Sequence, residues 1–212
     1  MAEAVGGART VCSSVVWTAS MEDDGAFEVT GAGHFTAGGH PACPPARAKA
    51  AAALLQRVYP VHYTDNIAGA MWSKLCVNSC ITSLGAITGW TFGEEMEQRA
   101  VRELFFRIIS ETLQVGQAHG IRPEKLNAVL SPRHLSDLPG AWPAFARHLI
   151  FRIMGRKYRD GVSSMLQSLR RGRYPEVEAI NGVVLRYGRA KGVPPPIHQQ
   201  MHDLITAIAE GR

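Results

Sequence analysis

Between positions 66 and 89 the chain reads NIAGAMWSKLCVNSCITSLGAITG, and Lys74 is the one side chain in it that is charged at neutral pH. A segment this long and this poor in charge can be a membrane span or the central helix of a helical bundle. A lysine in its middle, with Asn78, Thr82 and several serines, argues against the span, because charge inside a bilayer is costly. The stretch therefore predicts a central helix covered on most sides. At 100° per residue, Lys74 and Asn78 share a face with Ile67, Met71, Ile81 and Gly85, with Thr82 at its edge. A buried lysine needs partners or its pKa falls, and both outcomes suit a proton donor. The plainer alternative is a lysine that snorkels to a nearby surface or pairs with one carboxylate for structural reasons.

The rest of the chain supplies the body around that helix. With 212 residues, 46% of them hydrophobic, it has material for one good core or a large domain with a small appendage. VCSSVVWT at 11–18 is rich in β-branched types, and FEVTGAGHFTAGG reads as two short strands joined by Gly31, Ala32 and Gly33. That Gly-Ala-Gly is not a dinucleotide fingerprint, since the third glycine is missing and a strand pattern follows in place of a helix. After the prolines at 41–45 the pattern is helical: 46–58, 66–89, 93–118, a short piece at 123–130, then 141–159, 164–171, 176–191 and 196–210. The expectation is an all-α body behind a β element.

Several side chains carry chemistry. On the helix opened by Pro175, Glu176 lies on the stripe of Ile180, Val183, Val184 and Tyr187, so it is expected to face inward and Glu178 outward. A first-turn acid that only complements the helix N-terminus is the alternative. Ser164 and Gln167 match the S-x-x-Q capping box, and such a helix start also attracts a carboxylate or phosphate. Four cysteines without a CxxC pair, and no signal peptide, suggest free thiols and the cytoplasm. His198 and His202 lack the glutamate of a zinc motif and read as surface histidines, so no metal is expected. The net charge of +5 comes mostly from arginine, clustered at 152–159 and 170–173. Without zinc-finger spacing or an aromatic RNA-binding signature, those clusters do not predict nucleic-acid binding.

The block W-x-K-L-x-x-N at 72–78, followed far downstream by SSMLQ at 163–167 and E-x-E-x-I-N-G at 176–182, strongly resembles the C-terminal domain of the ketopantoate reductases, or 2-dehydropantoate 2-reductases. The likeness extends over about residues 11–208. It implies a mainly α fold, a multi-helix bundle of the 6-phosphogluconate-dehydrogenase C-terminal-domain-like type, preceded by a small β-hairpin remnant of a Rossmann domain. The division expected is residues 1–45 as the β remnant of the cofactor domain and 46–212 as the helical substrate and catalytic domain. By the same resemblance Lys74 is the proton donor to the developing alkoxide, and Asn78 holds the substrate or the lysine. Ser164 contacts the substrate carboxylate. Glu176 binds the substrate hydroxyl, fixes the lysine and touches the cofactor. Thr82 stands where the family often has a second asparagine on the substrate, and Ser168 where it usually has an aspartate.

In that family a Rossmann half carries NADP(H) and passes hydride to the ketone of a small 2-keto acid, a step of pantothenate biosynthesis. Its G-x-G-x-x-G fingerprint is not among these 212 residues. The resemblance thus implies a chain inactive in hydride transfer without a Rossmann partner half, whether a partner polypeptide or a homo-oligomer provides it, and no membrane or nucleic-acid partner. A different class of function also fits the sequence: a non-catalytic helical binding or oligomerisation module derived from the family.

Overall fold

The computed structural model describes residues 2–16, 18–21, 25–31, 33–126 and 129–211. The chain divides into two compact units, Met1–Met71 and Trp72–Arg212.

In the first unit a short helix α1 (Ala2–Val5) and a 3-10 turn lead into β1 (Val11–Val15), β2 (Thr18–Met21), β3 (Phe27–Gly31) and β4 (Phe35–Gly39). Helix α2 (Pro45–Leu55) and strand β5 (Val61–Tyr63) follow. β1 pairs antiparallel with β4, placing Val11 opposite Gly39, while β2 pairs with β3 as a separate ribbon bulged between Thr18 and Ala19. The expected strands are present, but those either side of Gly31 do not pair with each other; β3 turns back on β2 and β4 on β1. Ala32, in the expected connection, lies outside the described residues. β5 adds parallel to β4, making a sheet of order β1-β4-β5 and a β4–α2–β5 crossover of the kind a parallel pair requires. No strand is expected here from the sequence, because Val61, His62 and Tyr63 alternate over only three residues, too few for a strand pattern to stand out.

Small residues make the crossover close. Ala48 and Ala52 are the buried positions of α2, and a Cβ on Gly39 would stand 3.1 Å from that of Ala48. A Cβ on Gly38 would fall 2.4 Å from the Thr64 carbonyl oxygen, so the chain leaving β5 can cross here only over a glycine.

The long apolar segment forms α3 (Ile67–Thr88). Beyond it come α4 (Phe92–Glu97), α5 (Arg99–Ala118), a 3-10 turn at Pro132–Leu135, α6 (Ala144–Lys157), α7 (Ser164–Arg170), α8 (Val177–Lys191) and α9 (Pro196–Ala209). The single helix expected at 93–118 is two. Thr91 and Glu94 form a capping box that opens α4, and Gln98 is extended. The buried Arg102 donates to the Met96 carbonyl, satisfying the end of α4 from the first turn of α5. The short helix expected at 123–130 does not form among the described residues of that stretch.

The core gathers on α5, whose buried residues Phe105, Phe106, Ile108, Ile109, Thr112, Leu113 and Val115 follow helical spacing. Phe105 and Phe151 meet edge to face at 5.2 Å. Trp72 reaches from α3 to donate its indole N–H to the Thr112 carbonyl at 2.9 Å, passing over Gly116, where a Cβ would lie 2.3 Å from that nitrogen. Helix α8 ends on Gly192 in the left-handed conformation. α9 has no side-chain cap of its own; Glu111 of α5 accepts from the Ile197 and His198 N–H groups instead. The fold is mainly helical behind a small sheet, as expected. No helix among the described residues is long and apolar enough to cross a membrane.

Candidate functional site

Helix α3 turns Trp72, Cys76, Ser79, Cys80 and Ser83 into the core and leaves one strip of its surface open. Along the strip Met71 is 46% exposed, Lys74 is exposed, Asn78 and Ile81 are half-buried, and Thr82 and Gly85 are buried. The face read from the sequence is therefore real, but the expectation of a buried lysine is corrected. What closes the strip is the start of α7, and it closes only the far end: a Cβ on Gly85 would stand 2.7 Å from Ser163 Oγ. Lys74 lies three turns away from that contact.

Lys74 is nonetheless not an ordinary surface lysine. Neighbouring atoms strip part of its hydration and lower its pKa, and the Glu176 carboxylate pulls it back up. Because the residue keeps much of its contact with water, the shift is a statement about proton affinity more than about stability.

Glu176 occupies the N-cap position of α8 between the buried Pro175 and Val177, which hold it outward and exposed. The inward placement expected for it is thus corrected. Its side chain makes no capping hydrogen bond, so completing its own helix is not its role. Glu178, outward as expected, accepts from His202 at 2.6 Å and from Arg186 at 3.4 Å.

The cap of α7 is Ser163, whose hydroxyl accepts from the Leu166 N–H at 3.2 Å and donates to the Thr82 carbonyl at 3.3 Å. Ser164 is the first helical residue and is exposed, so the expected S-x-x-Q box does not form, and Gln167 instead donates to the Val162 carbonyl. Thr82 donates its hydroxyl to the Asn78 carbonyl at 2.7 Å, within the helix. Lys74, Asn78 and Thr82 thus follow one line along α3, the α7 start abuts its far end, and Glu176 acts on Lys74 from α8.

Two buried groups escaped the sequence reading. His198 is wholly buried, a correction to its expected surface position, and burial lowers its pKa to about 4. It belongs to a polar chain whose donors all run one way. Ser83 Oγ donates to Asn181 Oδ1 at 2.8 Å, Asn181 Nδ2 lies 3.3 Å from His198 Nδ1, and His198 Nε2 lies 2.9 Å from Thr112 Oγ1. Thr112 in turn donates to the Ile108 carbonyl. A neutral imidazole protonated at Nε2 satisfies every link, which ties α3, α8, α9 and α5 together. Glu95 is the other: it is 1% exposed, neither carboxylate oxygen has a hydrogen-bond partner, and desolvation raises its pKa to about 8. Its place between Phe92 and Met96 on the apolar phase of α4 was the available signal. Among the described residues no group of His, Cys, Asp and Glu is arranged to hold a metal.

Gly31 ends β3 and Gly33 precedes β4, so no helix N-terminus follows these glycines to receive a diphosphate.

The family described as ketopantoate reductase PanE/ApbA, C terminal, matches residues 66–209. Among curated proteins, the 2-dehydropantoate 2-reductase of Shigella flexneri is 29% identical over 155 residues, which cover 72% of this chain and 43% of that protein. The Streptococcus pyogenes serotype M3 enzyme of the same name is 26% identical over 194 residues, 91% of this chain and 57% of its own. The chain thus spans about half the length of these relatives. Among solved structures, a PanE/ApbA family ketopantoate reductase from Ralstonia eutropha JMP134 superposes with a TM-score of 0.73 at 24% identity, covering 95% of this chain and 59% of the other. D-mandelate dehydrogenase in complex with NADH gives 0.76 at 21% identity, covering 95% and 63%. At these identities the superpositions establish the shared fold.

Proposed function

The chain belongs to the ketopantoate reductase family, as its C-terminal domain, and from that premise we propose that it is the substrate-binding and proton-donating half of an NADP(H)-dependent reductase of a small 2-keto acid such as 2-dehydropantoate. The observation that carries this reading is the Lys74 ammonium on the one open strip of α3, partly desolvated and under the field of Glu176 from a helix about a hundred residues away in the chain.

Reduction of a ketone leaves charge on the former carbonyl oxygen, and a nearby acid lowers the barrier by giving that oxygen a proton. An ammonium whose pKa is depressed is a better donor than a free lysine. The Glu176 carboxylate keeps it from losing the proton before reaction. Asn78, one turn on, orients the substrate or the lysine. The exposed Ser164 meets the substrate carboxylate from the α7 start, with Thr82 bracing the wall behind Asn78. Residues 1–45 are, on this reading, the trailing edge of the cofactor domain and 46–212 the substrate domain. The nicotinamide does not fit the residues present, so the hydride comes from a Rossmann half in the same longer polypeptide or in a partner, and this chain alone does not turn over. On this reading the chain is cytoplasmic.

The test is reconstitution: the dinucleotide half of a close relative is joined to this chain, nicotinamide binding is verified, and oxidation of NADPH is followed with a panel of 2-keto acids. Turnover that falls about 10²- to 10⁴-fold in Lys74→Ala is the expected result. A folded, cofactor-bound hybrid that reduces none of them sinks the proposal.

A further inference from the structure

The arginines at 152, 156 and 159 belong to no part of the strip around Lys74. Their spacing puts them on one side of α6 and the turn after it, where they line a cavity of about 410 Å³ with Met96 and Glu97. Two glycines form its floor. A Cβ on Gly155 would stand 2.3 Å from that of Met96, and one on Gly93 would fall 2.7 Å from the Arg159 carbonyl oxygen, so α4 and α6 meet backbone to backbone there. The Gly93 N–H donates to that same carbonyl at 3.1 Å. The Gly93 N–H at the α4 start is therefore already taken, and the arginine side chains are what the cavity offers an anion.

Charge on this surface is poorly balanced. None of the three arginines takes part in the ion pairs formed among the described residues. Glu97 shares the rim, and Glu94, which accepts from the Thr91 N–H and hydroxyl, has its pKa lowered by those bonds and in smaller part by Arg159. Arg102 beside them has its pKa lowered first by burial and then by Arg152 and Arg99, with Glu103 acting against this. Guanidinium forks match phosphate oxygens two at a time, and Arg is preferred where such planar recognition matters. At about 30 Å³ per water in the liquid, the cavity has room for more than a bare phosphate.

We propose that the cavity between α4 and α6 is a binding site for a soluble phosphate ester, held by Arg152, Arg156 and Arg159. The site is separate from the Lys74 strip and does not depend on the reductase reading.

Titration of the full chain with inorganic pyrophosphate and with phenyl phosphate at constant ionic strength, followed by calorimetry and by amide shifts of residues 93–97 and 152–159, tests it. Saturable binding is expected, weakened about tenfold or more in the Arg152→Gln/Arg156→Gln double variant, and unchanged in Lys157→Gln, whose side chain lies outside the cavity. Circular dichroism establishes that the variants fold, and Arg159→Gln serves if the double variant does not. Absence of saturation, or binding equal in wild type and the arginine variants, overturns the proposal. So does binding to phosphatidic acid vesicles with none to either soluble probe, which would make the surface a lipid contact.

Discussion

Lys74 and Glu176 lie far apart in sequence, and each is held by a different local rule. Lys74 is outward because its helical neighbours two and five positions on are the core residues Cys76 and Ser79, and Glu176 because Pro175 and Val177 on either side are buried. The Glu176 carboxylate acts on the Lys74 ammonium electrostatically, and both residues sit at exposed positions outside the core, where a substitution leaves the domain folded. Glu176→Gln removes the charge that raises the ammonium's pKa, and the Lys74 pKa should fall. Nitrogen-15 NMR of the lysine side chains reads this directly; a rise or no change would mean that the two groups do not share a site. Gly116 is a residue of the opposite kind, with no chemistry and no tolerance. Its replacement by alanine would drive a methyl group into the Trp72 indole, 2.3 Å from Nε1. A loss of about 1–3 kcal/mol in denaturant unfolding is expected, with quenching of the Trp72 environment visible in fluorescence.

Among the elements, α7 separates a structural serine from a functional one. Ser163→Ala removes the cap and the bond to the Thr82 carbonyl, and should cost about 1 kcal/mol of stability. Ser164→Ala, at an exposed first helical position, should leave unfolding within about 0.5 kcal/mol of wild type and, in the reconstituted enzyme, raise KM for the keto acid. The reverse pattern would restore the cap to Ser164. The sequence places the α7 start within one residue but points to the wrong cap, because Ser164 with Gln167 fits the capping-box pattern and Ser163 with Leu166 does not, while it is Ser163 that meets the Leu166 N–H and the Thr82 carbonyl. Periodicity located α5, α8 and α9, each of which has a long apolar stripe, whereas α3 showed as a long run almost without charge. It failed where a tertiary partner decides the outcome. The break at Gln98 depends on Arg102 reaching back to the Met96 carbonyl, and β5 exists because β4 offers it a free edge. The open side of α3 was legible as a face, but not its exposure, since what lies over a face is a property of the rest of the chain.

At the scale of the helical unit, two buried titratable groups set how stability responds to pH, and they pull in opposite directions. His198 is held neutral, with a folded pKa of about 4 against 6.5 in the unfolded chain. As pH falls from 6.5 to 4 the unfolded state takes up a proton that the native state refuses, so stability is lost with acid. Glu95 has a folded pKa of about 8 against 4.5 unfolded. As pH rises from 4.5 to 8 the unfolded state gives up a proton that the native state retains, so stability is lost with base. The two slopes nearly cancel at about pH 5.5. The raised pKa values of Glu111, Cys76 and Cys80 extend the alkaline limb, and the lowered value of His148 steepens the acid one. The melting temperature should therefore peak in mildly acid solution and fall steadily from pH 6 to 9. Glu95→Gln, which fills the same space without a charge to desolvate, should flatten the alkaline limb, gaining on the order of 3 kcal/mol at pH 8 and little at pH 5. A melting temperature that climbs from pH 5 to 8, or an alkaline limb unchanged in Glu95→Gln, would show that the Glu95 carboxyl, whose Oε1 stands 3.6 Å from where a Cβ on Gly85 of α3 would lie, finds water or a partner after all.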